Sequence, residues 1–490
     1  MVVAAKFGLG YRTDAFFIAV GVPQLVWSII SSSGIRVLTP IFTQVLDEEG
    51  EQETWRVFSL LGNLSLIALP LFSVAGVLLS PLLVTITGAG LQEEAAALAV
   101  VLSRVLFLML IPAGLIQIMK SVLNAHNHFS TPAATTLLQY VVIVVTLLTL
   151  EGSLGIMAVA VGYVLSMVAQ VLVLGAVIVA KGARYVPSLD FRDAVARKTG
   201  RLVVPPLGGE VLAQSISVIE RALASFLPPG SVSALAFAGR ILRALDISFL
   251  NNVVVAVLPR LSSLATARDF PGLKRFVSLS LRVAWALTIP LTVIFLALNV
   301  PIVRLLYQRG AFDQQAVAVT GSILSLYLVG LPFLAMMRML VAAMYAMQDT
   351  TTPFYVRAAT LGVNLAGDLI LMMVMGVFGL ALATSLAYLV NALFSAWLLR
   401  RRIGALNLRV NRYLAKTVLA ASIMGLTAFA LRTWLEQTTP TATFLGVTLE
   451  LSMAIGVAVP IYFVFLALSR VEEFQQLLGW MRNRLAARRA

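Results

Sequence analysis

Thirteen apolar runs follow one another along this chain, and they leave few folds open to it. They lie at 15–44, 57–87, 94–122, 132–150, 155–180, 202–227, 233–259, 276–305, 314–346, 354–373, 376–399, 413–433 and 443–469. A helix needs about 20 apolar residues to cross the hydrocarbon of a bilayer, and these runs approach or exceed that length. Composition agrees: 60% of residues are hydrophobic and only 12% charged, where a soluble chain carries about 25% charged residues. The expected fold is therefore an all-α polytopic membrane protein. Cysteine is absent, which excludes disulfides, thiolate zinc sites and thiol nucleophiles. His126 and His128 stand in the short turn LNAHNHFSTPA, where a surface role outweighs metal binding. The few apolar residues before Lys6 make no signal peptide.

An internal repeat organises the runs. Phe7 to Pro40 spans 33 residues, as does Phe226 to Pro259. Pro70 matches Pro290, Pro81 matches Pro301, Gly90 matches Gly310 and Pro112 matches Pro332, all at an offset of 220. HNHFSTP then matches MQDTTTP, with Pro132 on Pro353. Such a register predicts two homologous six-helix lobes, the repeat plan common in transporters. An even number of helices per lobe makes the repeats parallel. The expected divisions are an N-lobe at 1–180, a cytoplasmic linker at 181–201, a C-lobe at 202–402, two extra transmembrane helices at 403–469 and a basic amphipathic tail at 470–490. By the same register the run at 202–227 needs a partner ending near Phe7, so the first helix of the N-lobe is expected to be largely missing.

Loop charges set the orientation. Alternate loops carry 24 Lys and Arg on one side and 5 on the other. The 24-charge side is cytoplasmic by the positive-inside rule, which puts the C-terminus in the cytoplasm. The net charge of +14 is thus topological and implies no nucleic-acid partner. The tail VEEFQQLLGWMRNRLAARRA reads as an interfacial helix against anionic lipid or as a solvated helix end.

Seven arginines remain inside the apolar spans: Arg36, Arg104, Arg221, Arg240, Arg243, Arg282 and Arg338. Ionisable groups at membrane depth are costly, so they line protein interiors or wet cavities. The stretch Arg201–Arg260 concentrates them, with Glu210, Glu220, Arg221, Arg240, Arg243 and Asp246. Mutual neutralisation of Glu220 with Arg221 and of Arg243 with Asp246 is one reading; a polar path through the membrane is the other. Arg240 and Arg243 stand three apart, hence on one helix face, and guanidinium groups match phosphate oxygens. They are the leading candidates for binding an anionic substrate, with Lys6, Arg12 and Asp14 beside them near the outer mouth. Asn364 and Asp368 share another face in VNLAGDLIL, Thr384 follows on the next run, and Glu220 offers a further carboxylate. Oxygen ligands between helices suit Na⁺. An Asp368–Arg221 ion pair or interhelical hydrogen bonds are the competing reading. No metal-ligand cluster or nucleophile elbow indicates an enzyme.

The segments FGLGYRTDAFFIA, LNAHNHFSTPA, ERALASFLPPGSVSALAFAGRIL, LLYQRGAF and YAMQDTTTP resemble the MurJ/MviN family of lipid II flippases, in the MOP exporter superfamily. The resemblance implies fourteen helices, two six-helix lobes plus a terminal pair. It implies alternating-access transport of an undecaprenyl-pyrophosphate-linked peptidoglycan precursor across the bacterial plasma membrane, and so a part in cell-wall synthesis and cell shape. It implies a cationic central cavity, a lipid-tail groove on the last two helices, and no enzymatic cofactor. It also implies a sodium site at Glu220, Asn364, Asp368, Thr384 and the Leu380 carbonyl. Where the family commonly has an arginine pair, this chain has Trp27 and Ser28, and Gly239 replaces the acid before Arg240. A flippase for another polyprenyl-linked glycan, or a non-transporting scaffold of envelope synthesis, stand as alternatives. A monomer is expected, with membrane lipids and cell-wall synthesis proteins as partners.

Overall fold

A computed structural model describes residues 1–190, 192–404, 410–438 and 443–469, without the side chains of 33, 35, 36, 203–210, 213 and 410–412. The expected tail at 470–490 and the side chains of Arg36 and Glu210 lie outside the described residues. Among the described residues there are only helices and turns. The first half runs α1 Val2–Phe7, α2 Tyr11–Ala19, α3 Gly21–Ser33, α4 Thr39–Glu49, α5 Glu51–Thr87, α6 Glu93–Phe107, α7 Leu110–Ala125, α8 Ser130–Leu154 and α9 Met157–Ala180. The second runs α10 Ala194–Ala224, α11 Ser231–Leu245, α12 Asn251–Thr266, α13 Phe270–Ala297, α14 Asn299–Tyr307, α15 Gln314–Val329, α16 Leu331–Ala346, α17 Thr351–Met375, α18 Val377–Ile403, α19 Val410–Thr438 and α20 Phe444–Leu468. Twelve stretches among the described residues are long and apolar enough to cross a membrane. Residues such as Leu71 and Met373, 67% and 83% exposed, suit a lipid-facing surface.

Each apolar run is helical, but several are broken, and the breaks have causes. The run at 94–122 breaks at Leu108 because Pro112 has no N–H to return to the Leu108 carbonyl. The chain tightens there, with Leu108 and Met109 donating to Val105 and Leu106, each at 3.1 Å. The run at 314–346 breaks at Gly330 for the same reason at Pro332, and Gly330 donates to Tyr327 at 3.1 Å. Two further runs contain π-helical turns, Gly34–Leu38 between α3 and α4 and Asp246–Leu250 between α11 and α12. Such turns insert an extra residue and often mark functional sites.

The repeat reappears in the turns. Asn127 and Gln348 are non-glycine residues with positive φ, 56° and 60°. Each stands in the turn that precedes one of the matched prolines, Pro132 and Pro353. Each closes a helix in the same way, by a six-residue hydrogen-bonded loop. The His128 N–H donates to the Leu123 carbonyl at 2.9 Å, and the Asp349 N–H to the Met344 carbonyl at 3.0 Å. Gly155 and Gly376 repeat the correspondence with φ of 54° and 59°.

The helices gather into two compact units, one built on Phe7–Ser233 and the other on Ala234–Ala490 with Val3–Lys6. The core of the first unit joins Phe42, Trp55, Phe107, Ile116 and Leu174. His126 stacks on Trp55 with ring centroids 5.2 Å apart and bonds the Val122 carbonyl through Nδ1. His126 is therefore half-buried against the core, where its sequence position suggested a surface role. In the second unit α13 is a spine for the last two helices. The Tyr413 hydroxyl donates to the Arg282 carbonyl and the Tyr462 hydroxyl to that of Ala286, each at 2.9 Å, while Arg432 Nη1 donates to Ala297 at 3.2 Å. These bonds satisfy polar groups that lipid would leave unsolvated.

Candidate substrate and cation sites

Arg240 and Arg243 lie on α11, where the three-residue spacing puts both guanidiniums on one face. Arg240 is half-buried and Arg243 exposed. Apolar neighbours on the same helix are buried: Val232, Leu235, Phe237 and Ala238 are at most 3% exposed. Phe237 anchors the helix through an aromatic triangle with Tyr307 and Phe312, with centroids 5.1–5.7 Å apart. The Tyr307 hydroxyl donates to the Phe237 carbonyl at 3.3 Å. The Arg240 guanidinium sits 5.9 Å from the Phe237 ring centroid, within cation–π range. Burial raises the Tyr307 phenol above its ordinary pKa, against the opposing charges of Arg240 and Arg243. The arginine pair therefore stands on a rigid, aromatic-backed helix. The Arg243 side chain folds back past Gly239, and a Cβ there would lie in ordinary contact with Arg243 Nη1.

Lys6 is exposed at the end of α1, in the same unit as the pair. Arg12 and Asp14 belong to α2 in the other unit. Arg12 is exposed, and its Nε donates to the Tyr11 hydroxyl, which in turn donates to Glu94. Asp14 is 3% exposed. Its carboxylate accepts the backbone N–H groups of Gly230, at 2.5 Å, and Ser233, at 2.7 Å. These are donors at the start of α11 that the helix cannot satisfy itself. The structure thus uses Asp14 to hold the helix that carries the arginine pair. Sequence reading did not reach this role, because α2 and the start of α11 are separated by the whole of the chain from α3 to α10.

Asp246 meets Arg338 of α16 in a short ion pair. Of the pairings weighed from sequence, the Arg243–Asp246 pair is replaced by this one, because the π-helical turn at Asp246 changes the direction of the side chains that follow Arg243. Arg221 Nη1 donates to the Phe17 carbonyl at 3.2 Å.

Asn364 of α17 and Leu380 and Thr384 of α18 meet in one buried group, and Asp368 is buried four residues further along α17. In that order they are 2%, 0%, 7% and 0% exposed. Asn364 Nδ2 donates to Thr384 Oγ1 at 3.4 Å, and Thr384 Oγ1 donates to the Leu380 carbonyl at 3.3 Å. Gly367 permits the close approach, since a Cβ there would lie 3.2 Å from that of Ala383. The donor set is all oxygen: a carboxylate, an amide carbonyl, a hydroxyl and a main-chain carbonyl. That chemistry fits a hard cation and no soft metal. Glu220, the fifth residue of the sequence-based set, is half-buried on α10 in the other unit. Among the described residues no group of three His, Asp or Glu forms a metal cluster.

Comparison with solved structures places this fold. A lipid II flippase MurJ in an inward closed conformation superposes with a TM-score of 0.77 at 23% identity, covering 97% of this chain and 95% of that one. An inward-facing multidrug resistance MATE family transporter of the MOP superfamily superposes with a TM-score of 0.68 at 17% identity, covering 83% and 97%. The molecule has a multi-pass helical membrane fold, shared with both of these solved proteins. The family model for lipid II flippase MurJ matches residues 3–453. The chain belongs to the MurJ family. A probable lipid II flippase MurJ of Thermotoga maritima is 26% identical over 482 residues, covering 98% of this chain and 94% of the relative. One of Rhizobium meliloti is 27% identical over 475 residues, covering 94% and 88%.

Proposed function

We propose that this protein carries lipid II, the undecaprenyl-pyrophosphate-linked peptidoglycan precursor, across the bacterial plasma membrane by alternating access. The observation that carries the reading is the Arg240–Arg243 pair on one face of α11, in a chain of the MurJ family. The pyrophosphate meets Arg240 and Arg243, and Lys6 adds positive charge at the outer mouth. Asp14 acts at one remove, by fixing the start of α11. No bond is made or broken. The carrier has only to neutralise the phosphates at depth and release them. A diphosphate of charge about −2 leaving a negative-inside cell gains about 4–5 kcal/mol per 100 mV, so the membrane potential favours export.

Na⁺ held by Asn364, Asp368, Thr384 and the Leu380 carbonyl biases the return of the empty carrier. A cation can do this only through a difference in its affinity for the two states. The C-terminus lies in the cytoplasm, and the lobe and tail divisions expected from the repeat stand with this reading. The protein works as a monomer alongside the cell-wall synthesis machinery.

A second reading, a flippase for another polyprenyl-linked glycan, is favoured by Trp27 and Ser28 standing where the family resemblance calls for arginines. Rescue of cells depleted of their essential lipid II flippase separates the two. Growth and normal cell shape on expression of this chain are expected. Stable membrane expression without rescue would remove the lipid II reading and leave the second.

A further inference from the structure

The Ala234–Ala490 unit holds a cavity that the proposed transport path does not use. It lies between the turn joining α14 to α15 and the start of α20, with a volume of about 340 Å³. Its polar wall is Arg304, Gln308 and Arg309; its apolar wall includes Phe444 and Val447. It sits at the Ala297 and Phe444 ends of α13 and α20. The opposite end of the unit carries Lys274 and Arg400–Arg402. By the charge rule the Lys274 end is cytoplasmic, which puts the cavity at the outer headgroup level.

The charges around it leave a net cation facing the opening. Arg304 approaches Glu436 at 3.9 Å, and that same carboxylate takes Arg432 at 3.3 Å. Asp313, also on the wall, accepts the Ala316 N–H at 2.8 Å and keeps its charge, so Arg304, Arg309 and Arg432 exceed Asp313 and Glu436 by one. Glu450, fully buried, is not part of the lining. Arg309 has no carboxylate partner among the described residues. Its Nη2 donates to the Leu305 carbonyl at 3.3 Å, and its guanidinium lies 5.1 Å from the Phe444 ring centroid. Along α20 the apolar surface continues outward from the cavity, with Phe444, Leu445 and Leu449 59%, 72% and 59% exposed. A cation at headgroup level, backed by a ring and leading to an exposed apolar helix face, matches one amphipathic neighbour: a membrane lipid.

We propose that this cavity binds the phosphate of an anionic glycerophospholipid of the outer leaflet, with Arg309 as its main cation and α20 beneath the first part of the acyl chain. The guanidinium supplies charge-assisted hydrogen bonds to the phosphate oxygens, and Gln308 adds an amide donor. The volume suits a phosphoglycerol unit and excludes a disaccharide-peptide headgroup. The inference rests on the chain spanning a membrane and on its orientation, not on what it transports.

The test is native mass spectrometry of the full chain, purified in detergent, stripped of lipid and titrated with phosphatidylglycerol. One tightly held phosphatidylglycerol is expected on the wild type. Arg309→Gln is expected to weaken it at least tenfold, with Arg309→Lys intermediate and the lipid-free melting temperature of both unchanged. Arg401→Gln, at the other end, is expected to bind as wild type does. Inorganic phosphate at the same concentration is expected to compete poorly, and diacylglycerol not to be retained. Equal retention in wild type and Arg309→Gln would overturn the site, as would full displacement by inorganic phosphate, which would mark a free-anion site. Because the readout is lipid retention, it is independent of any transport assay.

Discussion

Gly90 and Gly310, a matched pair of the internal repeat, make the same contact in the two units. A side chain at Gly90 would overlap the backbone of Ser225 and Phe226, just past the end of α10. One at Gly310 would overlap the carbonyl of Ala5, near the end of α1. Ala5 and Ser225 stand 220 residues apart, the same offset as Gly90 and Gly310. Hydrogen bonds tighten both contacts: the Gly90 N–H donates to Ser225 Oγ at 3.0 Å, and the Ala311 N–H to the Ala5 carbonyl at 2.8 Å. The repeat has therefore kept a backbone-to-backbone contact, and glycine is what permits it.

Alanine at either position is expected to destabilise the protein by about 1–3 kcal/mol through overpacking. Gly310 also has a φ of 56°, so Gly310→Ala adds backbone strain and is expected to cost more than Gly90→Ala. Thermal unfolding of the two purified variants in one detergent checks the order.

The Asp14 carboxylate is expected to contribute at the start of α11 in a way no neutral residue repeats. Asp14→Ala leaves the Gly230 and Ser233 N–H groups without their acceptor, at about 1–3 kcal/mol for each buried group. Asp14→Asn keeps one acceptor and turns an amide donor toward the N–H groups, so a partial loss is expected. Hydrogen exchange at Gly230–Ser233 should rise in the order wild type, Asn, Ala. Unchanged protection in Asp14→Ala would remove the role.

The Asp349–Arg402 pair predicts an acid limb of stability. Burial pushes the Asp349 carboxyl up, but hydrogen bonds from Thr352 and the charge of Arg402 outweigh it and hold the carboxyl below its ordinary value. Arg402 Nη1 lies 2.7 Å from Asp349 Oδ2, and the Thr352 N–H donates to Oδ1 at 2.9 Å. A folded value below the unfolded one, about 3.9, gives stability that is complete above the unfolded value. That stability is lost as pH falls through the folded one. Asp349→Asn is expected to flatten this limb while leaving the neutral-pH melting temperature only slightly lower. Acid melts of the two proteins measure it.

Sodium is expected to raise the melting temperature relative to potassium at equal ionic strength, and Asp368→Asn to remove most of the difference. At ten times its dissociation constant a ligand of the folded state adds about 1.4 kcal/mol. Equal melting of the wild type in the two salts would contradict the sodium reading of this group.

What the sequence disclosed, and what it did not, divides by range of interaction. All thirteen apolar runs are helical, because length and hydropathy settle that locally. The breaks at Leu108 and Gly330 were implicit in Pro112 and Pro332, whose missing N–H groups leave the Leu108 and Leu328 carbonyls four residues back without their helical partner. The Asn364–Asp368 face could be seen from a spacing of four. The cap by Asp14 on Ser233 could not, since no local pattern links residues so far apart. The grouping of Arg304 with Glu436 was equally hidden, although Arg432 and Glu436, four apart, gave a local hint. The π-helical turns had no sequence signal beyond the Gly34 and Asp246 that begin them, and the second turned Asp246 toward Arg338 instead of Arg243.

The central claim is that the α11 arginines carry a lipid-linked diphosphate through the membrane. It is tested most directly by reconstituting the purified chain into liposomes with labelled lipid II and an imposed potential, and measuring label reaching the far face. The wild type is expected to move lipid II above the protein-free rate, faster when the potential drives anions in the transport direction. Arg240→Ala is expected to fall to background with its melting temperature intact. Transport by Arg240→Ala at the wild-type rate would contradict the account.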